Sequence, residues 1–305
     1  MTAGQVEYPH PHLAVQDHPA HPVHPAHAVH MVGDGGGSRG GSGSAGGEEG
    51  GDRDDDRGTV RVLRIDREDK LGALSGELVA ALGEQIVRVR QDRGVRAVVL
   101  TGTGRGFIAG ADVGEYSGAS TDAFMEYQRR SRQVFDSLER LPQPSVAAVN
   151  GYAFGGGFEI ALCCDFIVAS RRARFALPEV TLGLIPGGGG TQRLARAAGT
   201  RFAKELVMTG RRVSADEAAR RGLVTEVAEP EELTARALAF AALLATRAPL
   251  AVREAKRVID GGVGQALDAA LTAEQSALGG LFGSADGQEG IAAFMEKRAP
   301  RFKGA

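Results

Sequence analysis

Along residues 59–200, β-branched apolar blocks alternate with amphipathic stretches, the pattern of strands separated by helices. Residues 59–66 (TVRVLRID) predict a strand, and Ser75 is placed to cap a helix to about 92, with Gly94 just beyond it. A second strand at 95–101 (VRAVVLT) leads into a glycine-rich loop, then a helix from about 121 to 141 that Pro142 stops. Residues 145–150 (SVAAVN) read as a buried strand, Gly155-Gly156-Gly157 opens a short apolar helix ending near Cys164, and 166–169 is a strand again. After about Thr191 the pattern turns helical. Ser214 and Glu217 form a capping box closed by Gly222, and 231–247, 250–259, 265–278 and 286–298 are further helices. The expectation is one α/β domain over 59–305, with a core at about 59–200 and a C-terminal helical region at about 201–305. No period of 20–50 residues suggests a solenoid.

The first 58 residues are a different material. His and Pro dominate the beginning, Gly and Ser fill 33–51, and Asp52-Arg53-Asp54-Asp55-Asp56-Arg57 follows. Such a composition buries too little apolar surface to offset chain entropy, so 1–58 is expected to be a disordered appendage. It holds nine acidic residues against three basic ones, a charge of −6, which leaves +4 on the rest of a chain whose net charge is −2. His18, His21, His24, His27 and His30 recur every third residue with Pro19, Pro22 and Pro25 between them. On a polyproline II helix those rings would line one side and could gather a divalent metal; the commoner outcome is a biased linker.

All seven histidines lie in the first 30 residues. A Ser-His-Asp or Cys-His hydrolase, or a histidine-ligated zinc enzyme, is therefore excluded unless this segment folds back. Cys163 and Cys164, the two cysteines, rule out a disulfide scaffold and point to a reducing cytoplasm. The near-neutral balance argues against a nucleic-acid polycation, and no apolar run reaches membrane-spanning length. The N-terminus shows neither a secretory nor an Arg-rich transit pattern.

Three glycine-rich segments compete for the chemistry. Gly102-Thr103-Gly104-Arg105-Gly106-Phe107 has Phe where a dinucleotide fingerprint needs its third glycine. Gly187–Gly190 lacks the Lys-Ser/Thr pair of a P-loop. Gly155-Gly156-Gly157-Phe158-Glu159 is more informative, because bare backbone N–H groups at a helix start hold negative charge. Glu159 in that first turn either stabilises the helix terminus or serves as an acid/base beside an oxyanion site. Glu179, after Pro178 among small and apolar residues, is the natural second carboxylate.

The segments 107–116 (FIAGADVGEY), 147–165 (AAVNGYAFGGGFEIALCCD), 175–194 (FALPEVTLGLIPGGGGTQRL), 209–224 (TGRRVSADEAARRGLV) and 289–303 (EGIAAFMEKRAPRFK) strongly resemble the enoyl-CoA hydratase/isomerase (crotonase) family, in order from about 59 to 304. The resemblance implies an α/β crotonase-like spiral of ββα units with C-terminal helices, assembled as a homotrimer or a hexamer of paired trimers. It implies a CoA thioester substrate, with no metal or redox cofactor in the body. The carbonyl oxygen would be held by the backbone N–H groups of Ala111 and Gly156, with Ala109, Asp112, Val113 and Gly114 beside the substrate. Glu159 and Glu179 match the two glutamates that act on one water in hydratases, and Lys297 matches a residue for the CoA nucleotide, in its own or a neighbouring subunit.

The resemblance implies reversible hydration of a 2-enoyl-CoA, since isomerase branches commonly keep one of the two glutamates. A carnitinyl-CoA dehydratase-like enzyme is the nearest alternative, followed by an isomerase and a non-catalytic thioester- or RNA-binding scaffold. The family's early Asn-Arg-Pro with a later Asn-Ala reads here Asp66-Arg67-Glu68-Asp69-Lys70-Leu71-Gly72-Ala73, a departure on the adenine side of the site.

Overall fold

A computed structural model describes residues 7–20 and 58–305. The core repeats one unit, in which a first strand enters a large sheet, a second enters a small sheet, and a helix follows. The first such unit is β4 (Val95–Gly102), β5 (Gly106–Ile108) and α2 (Thr121–Glu139). The next is β6 (Ser145–Val149), β7 (Tyr152–Phe154) and α3 (Gly156–Cys163). The third is β8 (Phe166–Ser170), β9 (Arg174–Ala176) and, after a 3-10 turn at Glu179–Leu182, α4 (Gly190–Ala198). Before them come β1 (Glu7–His10), β2 (Leu13–Pro19), β3 (Thr59–Ile65) and α1 (Gly76–Gln91), the last capped by Ser75 Oγ, which accepts from Leu78 N–H.

The large sheet runs β1-β2-β3-β4-β6-β8-β11, where β11 is Glu226–Ala228. It is parallel from β3 to β11, with β1 and β2 antiparallel on the edge. The small sheet runs β10-β9-β7-β5, where β10 is Val213–Ser214. Strand alternation divides the core in two. Val60, Val62, Ala97, Val99, Val146, Ala148 and Val168 pack on Leu233, Ala237, Ala241 and Ala245 of α7 (Leu233–Ala245). Leu63, Ile65, Val98, Leu100, Ala147, Val149, Ile167 and Ala169 face the other core, shared with α1, α2 and α3. Both faces are covered, which explains why these strands read as unbroken apolar runs.

Two expectations need correcting. Residues 7–20 do not belong to a disordered appendage. β2 pairs with all of β3, from Leu13 opposite Ile65 to Pro19 opposite Thr59, and buries Leu13, Ala14 and Val15. Four apolar residues (Leu13, Ala14, Val15 and Ala20) pack into the core, a signal that surrounding His and Pro diluted in a compositional reading. His18 sits in that strand opposite Val60, so it is not part of a polyproline helix, and burial lowers its pKa. His21, His24, His27 and His30 lie outside the described residues. Among the described residues no cluster of His, Cys, Asp or Glu is placed to hold a metal. The fold-back brings His12 Nδ1 to 3.2 Å from the Asp66 carbonyl oxygen, at the end of β3.

The short strands also depart from the sequence pattern. β5, β7 and β9 have three residues each and were hidden in glycine-rich or turn-like sequence, while β10 and β11 interrupt the helical region. Close backbone approach shapes β5 in particular, since a side chain at Gly106 would overlap the Leu71 carbonyl. Beyond α5 (Thr200–Thr209) and α6 (Ala215–Arg220), the chain ends in α8 (Pro249–Gly262), α9 (Leu267–Phe282) and α10 (Ala285–Glu296). No single helix among the described residues is long and apolar enough to cross a membrane.

Candidate active site

The site lies where the three units hand over from the small sheet to their helices. Gly155 takes φ +50° and ψ −123°, a conformation that only glycine adopts readily, and turns the chain from β7 into α3. The first N–H groups of α3, beginning with Gly156, have no acceptor within the helix. Gly157 packs so closely that a side chain there would overlap the Ile108 carbonyl, which ties α3 to β5.

Ala111 approaches from the first unit. Leu74 N–H donates to the Gly110 carbonyl at 2.9 Å, and Asp112 N–H donates to the Leu74 carbonyl at 2.8 Å. Ala111, the residue bridged between them, therefore turns its own N–H away from Leu74. A side chain at Gly155 would come within 3.9 Å of Gly110 Cα and 3.0 Å of Glu179 Oε1. The Ala111 and Gly156 segments and Glu179 thus lie side by side.

Glu159, in the first turn of α3, is 3% exposed. Its Oε1 accepts from Gly190 N–H at 2.7 Å, and the Gly188 amide adds a second bond. Burial raises its pKa, opposed by these two amides and by the charge of Arg193. The glycine run is what admits the carboxylate. A Cβ on Gly188 would lie 2.6 Å from Glu159 Oε2, and one on Gly190 would lie 3.0 Å from Oε1.

Glu179 opens the 3-10 turn after Pro178. Its Oε2 is buried without a hydrogen-bond partner. Burial first, and the Glu159 charge in addition, raise its pKa to about 7 against the pull of its own backbone amide. The two carboxylates therefore have contrasting surroundings, one gripped by amides and one lacking partners on a buried oxygen. Pairs with divided environments are characteristic of acid/base sites.

An aromatic cluster centred on Tyr116 lies near Glu179. Tyr116 meets Phe124 edge-on and Tyr127 at a tilt, with centroids 5.3 and 5.9 Å away, and burial together with the Glu179 charge raises the Tyr116 pKa. Tyr127 donates to the Leu74 carbonyl at 3.3 Å, and burial pushes its phenol up to about 12.

Among the other sequence-predicted residues, Ala109 N–H donates to the Leu71 carbonyl at 3.0 Å. Val113 and Gly114 lie exposed in a 3-10 turn (Val113–Glu115) that Asp112 caps through Gly114 N–H. The Asp112 carboxylate is engaged by Arg67 at 2.8 Å. Lys297 ends α10 in a left-handed conformation, φ +55°, and no described contact joins it to this site. Sequence reasoning missed Arg67, Arg193 and the Gly188 and Gly190 amides. For Arg193 and the two amides the signal was present in the Gly187–Gly190 run and Thr191-Gln192-Arg193 that follows, but a P-loop comparison asked that run about phosphate, not about a carboxylate.

Known proteins share this sequence and this fold. The family model for enoyl-CoA hydratase/isomerase matches residues 55–305. A short-chain-enoyl-CoA hydratase of Clostridium acetobutylicum is 43% identical over 242 residues, 79% of this chain and 93% of that one. A crotonyl-CoA hydratase of Syntrophomonas wolfei is 39% identical over 242 residues, with the same coverage of 79% and 93%. The crystal structure of an enoyl-CoA hydratase from Bacillus anthracis superposes with a TM-score of 0.79 at 40% identity, covering 81% of this chain and 96% of that one. On this evidence the chain belongs to the enoyl-CoA hydratase/isomerase family.

Proposed function

We propose that this protein is a hydro-lyase that adds water reversibly across the 2,3 double bond of a 2-enoyl-CoA thioester. The observation that supports the reading is the pair of interacting carboxylates, Glu159 and Glu179, beside the Ala111 and Gly156 segments. The N–H groups of Ala111 and Gly156 form the oxyanion hole, stabilising the negative charge that grows on the thioester oxygen as water adds at C3. Glu159, held as a carboxylate acceptor by the Gly188 and Gly190 amides, takes a proton from the attacking water. Glu179, with its pKa near 7, is available in its protonated form to deliver a proton to C2. The hydroxyl ends on C3, the proton on C2, and the reverse sequence dehydrates a 3-hydroxyacyl-CoA. The chemistry calls for no redox cofactor or metal, and CoA arrives with the substrate. The relatives named for short-chain and crotonyl substrates favour a short acyl chain.

Assembly completes the reading. No residue of α9 is buried, and Leu267, Leu271, Leu278 and Phe282 stand exposed there, with Ile291, Phe294 and Met295 on α10. So extended an apolar surface suits cover by other copies, as a trimer or a pair of trimers working in the cytoplasm.

The test is steady-state hydration of crotonyl-CoA, followed by loss of the conjugated thioester absorbance. Glu159→Gln and Glu179→Gln should each lower kcat by about 10²–10⁴-fold with little change in KM. The double variant should fall well short of the product of the singles. A folded single variant with near wild-type kcat would overturn the two-glutamate mechanism.

A further inference from the structure

Arg193 lies beside the site without touching either glutamate. Its side chain is 14% exposed. Nε and Nη2 donate to the two oxygens of Glu139 at 2.8 and 2.6 Å, Nη2 also donates to Asp136 Oδ1 at 2.8 Å, and Nη1 donates to the Gly188 carbonyl at 2.6 Å. Four N–H bonds of one planar fork thus join α2 to the glycine run that precedes α4. Gly189 between them has φ +105°, and a side chain there would overlap the guanidinium. On either side of Gly189, the Gly188 and Gly190 amides reach the Glu159 carboxylate.

We propose that Arg193 is a positioning residue for catalysis, gripping the Gly188 carbonyl so that the Gly188 and Gly190 amides are aimed at Glu159. The proposal rests on the hydratase reading for its kinetic consequences, though not for its geometry. Glycines at 188, 189 and 190 give the run little stiffness of its own, so its shape depends on an external anchor. Lysine cannot replace that anchor, because a point charge cannot hold both Glu139 oxygens, Asp136 and a carbonyl in one plane. The charged and titratable groups facing Glu159 are Glu179 from the turn after β9, Arg193 from α4, and Cys163 on α3 itself. Of these Arg193 is the cation. Loss of its charge and slackening of the two amides both favour the protonated carboxyl.

Arg193→Lys and Arg193→Met, made in the full chain, are compared with wild type for kcat and KM across pH, with thermal melts alongside. Both should lower kcat on the order of 10–100-fold with a much smaller change in KM. The acid limb of the kcat profile should move to higher pH by about one unit in the Met variant. Lys should recover melting temperature more than kcat. A merely structural role would lower the melting temperature and leave the acid limb in place, and that result overturns the proposal. If Arg193→Met does not fold, Glu139→Gln and Asp136→Asn loosen the grip while keeping the guanidinium, and an unshifted acid limb in both counts equally against it. A ¹³C NMR titration of the Glu159 carboxyl in resting enzyme, assigned with Glu159→Gln, separates this idea from the hydratase reading. Wild type without hydratase activity overturns that reading, whereas an Arg193→Met spectrum with an unmoved Glu159 titration overturns the positioning role.

Discussion

Arg67 donates through Nη2 to Asp112 Oδ2 and through Nη1 to the Ala73 carbonyl, both at 2.8 Å. The two contacts flank the Leu74–Ala111 bridge, so one guanidinium clamps both strands of the segment that aims the Ala111 amide. Burial alone would raise the Asp112 pKa, but the hydrogen bond and charge of Arg67 outweigh it and hold the carboxyl below its ordinary value. Asp112, which the family resemblance places beside the substrate, is thus committed to the protein.

A double-mutant cycle on Arg67→Met and Asp112→Asn should reveal this coupling. Side-chain exposures of 14% and 17% make the pair largely buried, and a coupling of about 1–3 kcal/mol is expected from melts. The singles should also lower kcat, since the Ala111 donor loses its anchor. Additive melting changes with unaltered kcat would show the pair to be incidental.

Glu179 should make the enzyme less stable as pH rises. Its pKa is 4.5 as an ordinary glutamate and about 7 in the fold. Below pH 4.5 both folded and unfolded chains hold the proton and nothing is lost. Between 4.5 and 7 the unfolded chain releases its proton while the folded one keeps it, so folding becomes less favourable, and above 7 the loss is complete. Glu179→Gln lacks this titration. It should melt higher than wild type at pH 8, by up to roughly 3 kcal/mol, with the advantage vanishing toward pH 4.5. A pH-independent difference between the two proteins would contradict the assignment of this pKa to Glu179.

Neighbouring glycines should respond in opposite ways to alanine. A Cβ on Gly156 would meet Leu74 Cδ1 and Phe135 Cζ at 3.9 Å, ordinary contacts, whereas one on Gly157 would overlap the Ile108 carbonyl. Gly156→Ala should therefore melt within a few degrees of wild type and lose activity through the methyl group beside the N–H donor. Gly157→Ala should lose several kcal/mol of stability, because backbone must move between α3 and β5. Equal melting temperatures for the two variants would contradict the packing described.

Much of this arrangement was legible before the fold. The strand at 95–101, the helix capped by Ser75 and the helix capped by Ser214 follow from local chemistry, and each matches an element within a residue or two, although the Glu217 carboxylate pairs with Arg211 and does not close the box on the Ser214 N–H. Glu159 and Glu179 stood out because apolar surroundings make a carboxylate conspicuous. What was not legible depended on distance in the chain. The three-residue strands β5, β7 and β9 carry no period of their own and exist because neighbouring units pair them. Arg193 meets Asp136 and Glu139 more than 50 residues away, and nothing local distinguishes it from the other arginines on helix surfaces. β2 was hidden because its pairing partner follows a long intervening segment.

Ala20 N–H donates to the Gly58 carbonyl at 3.1 Å, and Pro19 lies opposite Thr59, so residues 20 and 58 are already neighbours on adjacent strands. Residues 21–57 connect two points that a tight hairpin turn spans. Replacing them with Asn-Gly should leave the melting temperature and hydration kinetics close to those of the full chain. Starting the chain at Gly58 is a different operation, although it also removes the His-rich segment. It strips β1 and β2 from the sheet, uncovers the edge of β3 and removes Leu13, Ala14 and Val15 from the core. Burying a leucine and a valine contributes about 1.5–3 kcal/mol each, and an exposed strand edge invites association. The truncated chain should therefore melt well below wild type or aggregate, while the excised chain behaves normally. Equal stability of the two would mean that β2 adds nothing to the fold; a destabilised excision variant would mean that residues 21–57 support it.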